Sequence, residues 1–115
     1  MESILTSIKK MLGIREDYES FDADIIMHIN SVFMILSQLG VGPPDGFSIK
    51  DKSVTWDEYL PDSDEEKLSA VKSYMGQKVR MLFDPPTSSI VLECMNRITN
   101  ELEWRLMTQA EMEDK

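Results

Sequence analysis

The chain has 115 residues, the size of one small domain, and its 42% hydrophobic and 29% charged residues are an ordinary globular balance. Acids outnumber bases by 21 to 12, and the resulting charge of −9 argues against a general grip on DNA, RNA or an anionic membrane, all of which select basic patches. A single cysteine excludes an internal disulfide framework and no apolar run is long enough to span a bilayer, so the expected setting is soluble, reducing and intracellular.

Four stretches carry helical periodicity. The first runs from about Glu2 to Leu12, with Ile4, Leu5, Ile8, Met11 and Leu12 on one face and Lys9 and Lys10 opposing the dipole near its end. Gly13 is its expected stop. The order of charge and apolarity in this segment is not that of a signal peptide. The second helix begins near Asp22, where FDAD supplies an acidic N-cap and first turn and Phe21 can staple onto Ile26. Ile25, Ile29, Val32, Leu36 and Leu39 form its stripe, which Ile26, Phe33 and Ile35 widen, and Gly40 ends it.

Residues 41–61 are not helical by pattern, because Gly42, Pro43, Pro44, Asp45 and Gly46 are turn residues. The segments Phe47-Ser48-Ile49 and Ser53-Val54-Thr55-Trp56 alternate briefly, as a small hairpin through Lys50-Asp51-Lys52 would. The other reading is a long loop pinned to the helices by Phe47, Ile49, Val54, Trp56 and Tyr59. A third helix starts with a capping box in which Ser63 caps and Glu66 reaches back, and Leu68, Val71, Met75, Val79 and Leu82 make its stripe. Gly76 in mid-helix points to close packing against another helix. Phe83-Asp84-Pro85-Pro86 ends this element. The fourth helix follows Thr87-Ser88 with Val91, Met95, Ile98, Leu102 and Leu106 as its stripe and a Glu101–Arg105 pair on its surface. The polar residues after Leu106, 107–115, are expected to be a flexible tail. The fold class is therefore all-α: a small bundle of about four helices with a long aromatic loop between helices 2 and 3, in one domain over residues 1–115.

The chemistry-bearing residues are sparse. His28 is the only histidine, and a general base would need a positioned nucleophile and a pocket, so it reads as structural or surface. Cys94 sits beside Met95 and Val91 without an activating base and reads as a small buried apolar residue. Asp62 to Glu66 lacks the glycine and terminal glutamate of a calcium loop, and a helix start accounts for its acids. No phosphate loop, HExxH, GxSxG or CxxC is present, so no catalytic residue, metal ligand or cofactor site is assigned and the protein is read as a non-enzyme. Of the nine methionines, Met75 and Met95 fall on core stripes, whereas Met27, Met34 and Met81 lie off them and are candidates for a subunit contact.

Taken in order, QLGVGP, GFSIKDKSVTWDEYL, FDPPTSS and ELEWRL resemble the small head–tail connector (adaptor) proteins of tailed phages and Gram-positive prophages, over Ser7 to Leu106. The resemblance implies a non-enzymatic, α-helical virion protein that forms a ring, usually dodecameric, beneath the portal. It further implies that the ring extends the DNA channel, lets DNA pass without specific binding, and receives the stopper or tail-completion protein. The members may be monomers in solution and assemble on the portal, at the head–tail interface, in the bacterial cytoplasm. Within that role Phe47, Trp56 and Tyr59 either reach a neighbour or cap their own core, and both readings stand at this point. Trp104, Arg105, Leu106 and Met107 resemble the part that such proteins project toward the portal. The acid clusters Glu16-Asp17, Asp62 to Glu66 and Glu111 to Asp114 would suit a channel that must not hold phosphate. A different class of function is a small acidic module that inhibits a host DNA-binding protein by presenting DNA-like charge.

Overall fold

The computed structural model describes residues 2–61 and 65–113. Five helices follow one another among them: α1 Ile4–Met11, α2 Asp22–Gln38, α3 Trp56–Tyr59, α4 Glu65–Phe83 and α5 Ser89–Glu113. The protein is all-α, as the periodicity predicts. The Ser63 cap and the Asp62 to Asp64 part of the acid cluster lie outside the described residues, as does Asp114. Glu65 and Glu66 form the first turn of α4.

Helix α4 is the centre of the arrangement. It packs against α1, α2 and α5, and the rows of Val71, Tyr74, Met75 and Val79 are fully buried. Helix α2 faces it with Ile25, Ile29, Val32, Phe33 and Leu36, which is the predicted stripe plus Phe33; Leu39 is only partly covered. Phe83 lies beside Phe21 and His28, so the C-terminal end of α4 meets the first turns of α2 and the two run antiparallel. Gly76 does mark a close approach: a Cβ there would stand 2.5 Å from the thioether sulfur of Met11 on α1.

Helix α1 starts at Ser3, whose hydroxyl accepts the Thr6 N–H at 3.2 Å. Ile4, Leu5 and Ile8 enter the core, but Met11 stays half-exposed. The largest surprise in this region is Lys9, which is buried instead of facing solvent near the end of the helix. Its ammonium pairs with Asp22 at 2.8 Å and donates to the carbonyls of Glu16 and Tyr18 at 3.0 and 2.7 Å. A buried ammonium needs this many acceptors, because desolvation without them is prohibitive. The cluster closes the α1–α2 connection. It also corrects the reading of FDAD: Asp22 is the first helical residue, the cap position is Phe21, and no side chain caps it. Phe21 lies against the rings of Tyr18 and Phe83.

The long segment after α2 is neither a hairpin nor free of structure. Residues 53–56 pair with the start of α1 and not with 47–49. The Ile4 N–H donates to Val54 O at 3.0 Å, and a single antiparallel bridge joins Ser3 to Thr55. Ile49 is held by the side chain of Asn30, which donates to its carbonyl at 3.0 Å and accepts its N–H at 2.8 Å. Thr55-Trp56-Asp57-Glu58 then forms a capping box that opens α3, with Glu58 accepting the Thr55 N–H at 2.7 Å.

Helix α5 runs longer than the sequence predicts. The chain beyond Leu106, expected to be a flexible tail, continues as helix to Glu113. Lys67 on α4 pairs with Glu113 at 2.8 Å, and Lys78 with Glu103 at 3.5 Å. At 25 residues, α5 is about 37 Å long, close to the 43 Å longest dimension of the molecule.

Candidate subunit and partner interfaces

The aromatic residues of the long loop are spent inside the subunit. Trp56 is 2% and Tyr59 1% exposed, which decides for the isolated chain that they cap their own core. The Trp56 indole N–H donates to the buried Ser7 hydroxyl at 2.8 Å, and that hydroxyl donates to Ile4 O at 3.0 Å. Phe33 of α2 receives Tyr59 at 4.6 Å and Phe47 at 5.1 Å between ring centroids, in tilted and edge-on contacts of the favourable kind. The Tyr59 ring also fits against Gly42, where a Cβ would stand 2.6 Å from it and where φ is +92°. Only glycine satisfies both demands. Burial holds the Tyr59 hydroxyl protonated well above its ordinary value of 10.0. Phe47 alone of the three is half-exposed.

The C-terminal candidates divide. Leu106 is 2% exposed and belongs to the core, so it is not a surface contact of this subunit. Trp104 is 60% exposed, Arg105 is exposed and held by Glu101 at 2.7 Å, and Met107 is half-buried. Among the methionines Met27 and Met34 stand out from α2 at 57% and 60% exposure, while Met81 is half-buried.

One exposed apolar surface falls on residues whose spacing reads as core. The predicted α5 stripe exists, but only its C-terminal half finds a partner. Leu102 packs against the core and Leu106 is buried within it, whereas Val91 and Ile98 remain exposed, Ile90 beside them is 73% exposed, and Leu82 at the end of the α4 stripe is also exposed. Cys94, expected to be buried, is exposed on the same half of α5. The signal that could have found this surface is arithmetic. Two stripes of similar length on α4 and α5, added to the broad one on α2, exceed what one small core consumes.

At the start of α2, beside the end of α4, lies an open groove of about 550 Å³. Leu12, Ile14, Phe21 and Phe83 form its apolar walls, with Asp24, His28 and Asp84 beside them. His28 lies edge-on to the Phe83 ring at 6.3 Å. Among the described residues no three His, Cys, Asp or Glu side chains converge as metal ligands, and no helix is long and apolar enough to cross a membrane.

The arrangement is that of a helical protein whose distinctive surfaces are unpartnered helix faces, the kind of surface on which assemblies are built. A family model for the phage connector proteins matches residues 4–113, and the chain belongs to that family. No curated protein and no solved structure matches it. Its role is accordingly that of a structural connector, a virion component that contacts other head or tail proteins of a phage.

Proposed function

We propose that this chain is the head–tail connector that assembles as a ring, dodecameric in the family pattern, beneath the portal. The ring extends the DNA channel and receives the stopper or tail-completion protein. The observation that carries this reading is the pair of separate exposed apolar faces: Ile90, Val91 and Ile98 on α5, and Met27 and Met34 on α2. A ring interface is heterologous and needs two different patches on one subunit. Helix α4 stands between α2 and α5, so the two faces belong to different flanks of the molecule. Trp104 and the half-buried Met107 are the candidates for the portal contact, joined by Phe47 from the loop.

The carboxylates favour this reading over a DNA mimic. Seven of them, among the described residues, hold cations of the same chain and do not form a row of free charge. The remaining acid excess suits a channel wall that repels phosphate and shortens the dwell of passing DNA. No catalytic role is assigned to any residue.

Native mass spectrometry of the protein alone and with its portal tests the reading. The expected result is a ring, either free or only on the portal. A protein that stays monomeric and ignores its portal would overturn it.

A further inference from the structure

The groove between α1, the start of α2 and the end of α4 has a specific chemistry. Phe21 and Phe83 stand edge to face at 5.3 Å, and Ile14 adds an aliphatic side. Two carboxylates, Asp24 and Asp84, line the same opening, and neither has an ion-pair partner among the described residues. The nearby buried cation, Lys9, is committed to Asp22 and two carbonyls and offers them nothing. The helix ends do not change the sign. The start of α2 and the end of α4 bring partial charges of about +0.5 and −0.5 that offset one another, leaving the two full negative charges.

Apolar rings beside free carboxylates match one side chain best. A guanidinium can stack on an aromatic ring, lay its methylene stem on an apolar wall, and donate to carboxylates in a planar fork. We infer that this groove is a docking site for a peptide segment of a different protein that presents an arginine between apolar residues. Charge speaks against a second copy as the occupant. The chain carries a charge of −9, and three of its four arginines, Arg15, Arg97 and Arg105, already hold carboxylates of their own segment. None of its lining residues is among those assigned above to the ring or portal contacts, so the inference stands whether or not the connector reading does.

Fluorescence anisotropy and backbone amide NMR with the labelled peptide GSLRLFGS, set against GSLQLFGS, test the inference. The arginine peptide is expected to bind and to shift the amides of Phe21, His28 and Phe83, and the glutamine peptide to bind about tenfold more weakly. Asp24→Asn with Asp84→Asn should weaken the arginine peptide by about the same factor. The control pair Asp45→Asn with Glu111→Gln removes two exposed charges elsewhere and should leave binding unchanged. Three results would overturn the proposal: equal weakening by the control pair, which means general charge attraction; shifts away from the groove; or the same shifts on raising protein concentration without peptide, which means a contact between copies. All variants carry surface substitutions, and circular dichroism confirms that each retains the helical fold being assayed.

Discussion

The two ends of the polypeptide solve the same packing problem in opposite ways. In the first half, α1, α2 and the loop to α3 supply most of the buried aliphatic and aromatic side chains of the core, and even a lysine is drawn inside and satisfied there. In the second half, α5 spends only Thr99 and Leu106 on full burial and leaves Ile90, Val91 and Ile98 in water. The first half closes most of its core within the subunit and leaves Met27 and Met34 outside on α2. The second is apolar beyond the needs of the fold, which is the signature of surface reserved for other chains.

The sharpest test of that contrast is a pair of substitutions in the first half. Trp56→Ala should destabilise the fold by about 3–5 kcal/mol, since it opens a cavity and removes the indole N–H that the Ser7 hydroxyl accepts. Urea denaturation followed by circular dichroism measures it. Lys9→Met comes next. Removing the ammonium strands two carbonyls and the largely buried Asp22 carboxylate, at a loss of about 3 kcal/mol in the same experiment.

A smaller effect appears in base. The hydroxyls of Tyr59 and Tyr74 are buried and stay protonated in the fold well above their ordinary value of 10.0, with the Glu103 carboxylate adding to the effect at Tyr74. Their folded pKa values are raised, so their contribution is complete below pH 10 and is lost as pH rises beyond it, where the unfolded chain ionises and the folded one does not. Stability should therefore fall above about pH 10, and Tyr59→Phe should shallow that fall. Equal slopes for the two proteins between pH 10 and pH 11 would refute the assignment.

The smallest change in stability is expected on α5. Val91→Asp with Ile98→Asp should change the unfolding free energy, read by urea denaturation, by no more than about 0.5 kcal/mol per site, because both side chains already face water. Assembly on the portal, read by native mass spectrometry, should nevertheless be lost. If these substitutions unfold the chain, the face is core after all and the contrast between the halves disappears. Truncation has a related lesson. Ending the chain after Trp104 removes Leu106 from the core and with it the Lys67–Glu113 pair, so a loss of stability is expected together with any loss of docking.

Much of this was readable from residue order. The all-α class, the positions of α1, α2, α4 and α5 within a few residues, and the α2 stripe all follow from apolar spacing, which a helix converts directly into one face. The stops at Gly40 and at the Asp84-Pro85 break follow from local backbone preferences. The short helix α3 was missed, because Ser53 to Trp56 alternate as a strand does and the capping box Thr55-Trp56-Asp57-Glu58 supports only one turn. Family membership came instead from resemblance, carried by the QLGVGP, GFSIKDKSVTWDEYL, FDPPTSS and ELEWRL segments and shown by the family model over residues 4–113.

What the order of residues could not supply was which faces meet. A stripe records that a face is apolar and not what covers it. Val91 and Leu106 occupy equivalent positions on α5 and have opposite fates, because the core provides neighbours at one end of the helix only. Lys9 reads as a surface cation until the turn after α1 brings two carbonyls and Asp22 around it. Trp56 and Tyr59 read equally as partner anchors or core until Phe33, Gly42 and Ser7 are seen to enclose them. Local patterns determined the helices of this protein. Long-range contacts decided its surfaces, since burial is a property of pairs of segments and is not written in either one alone.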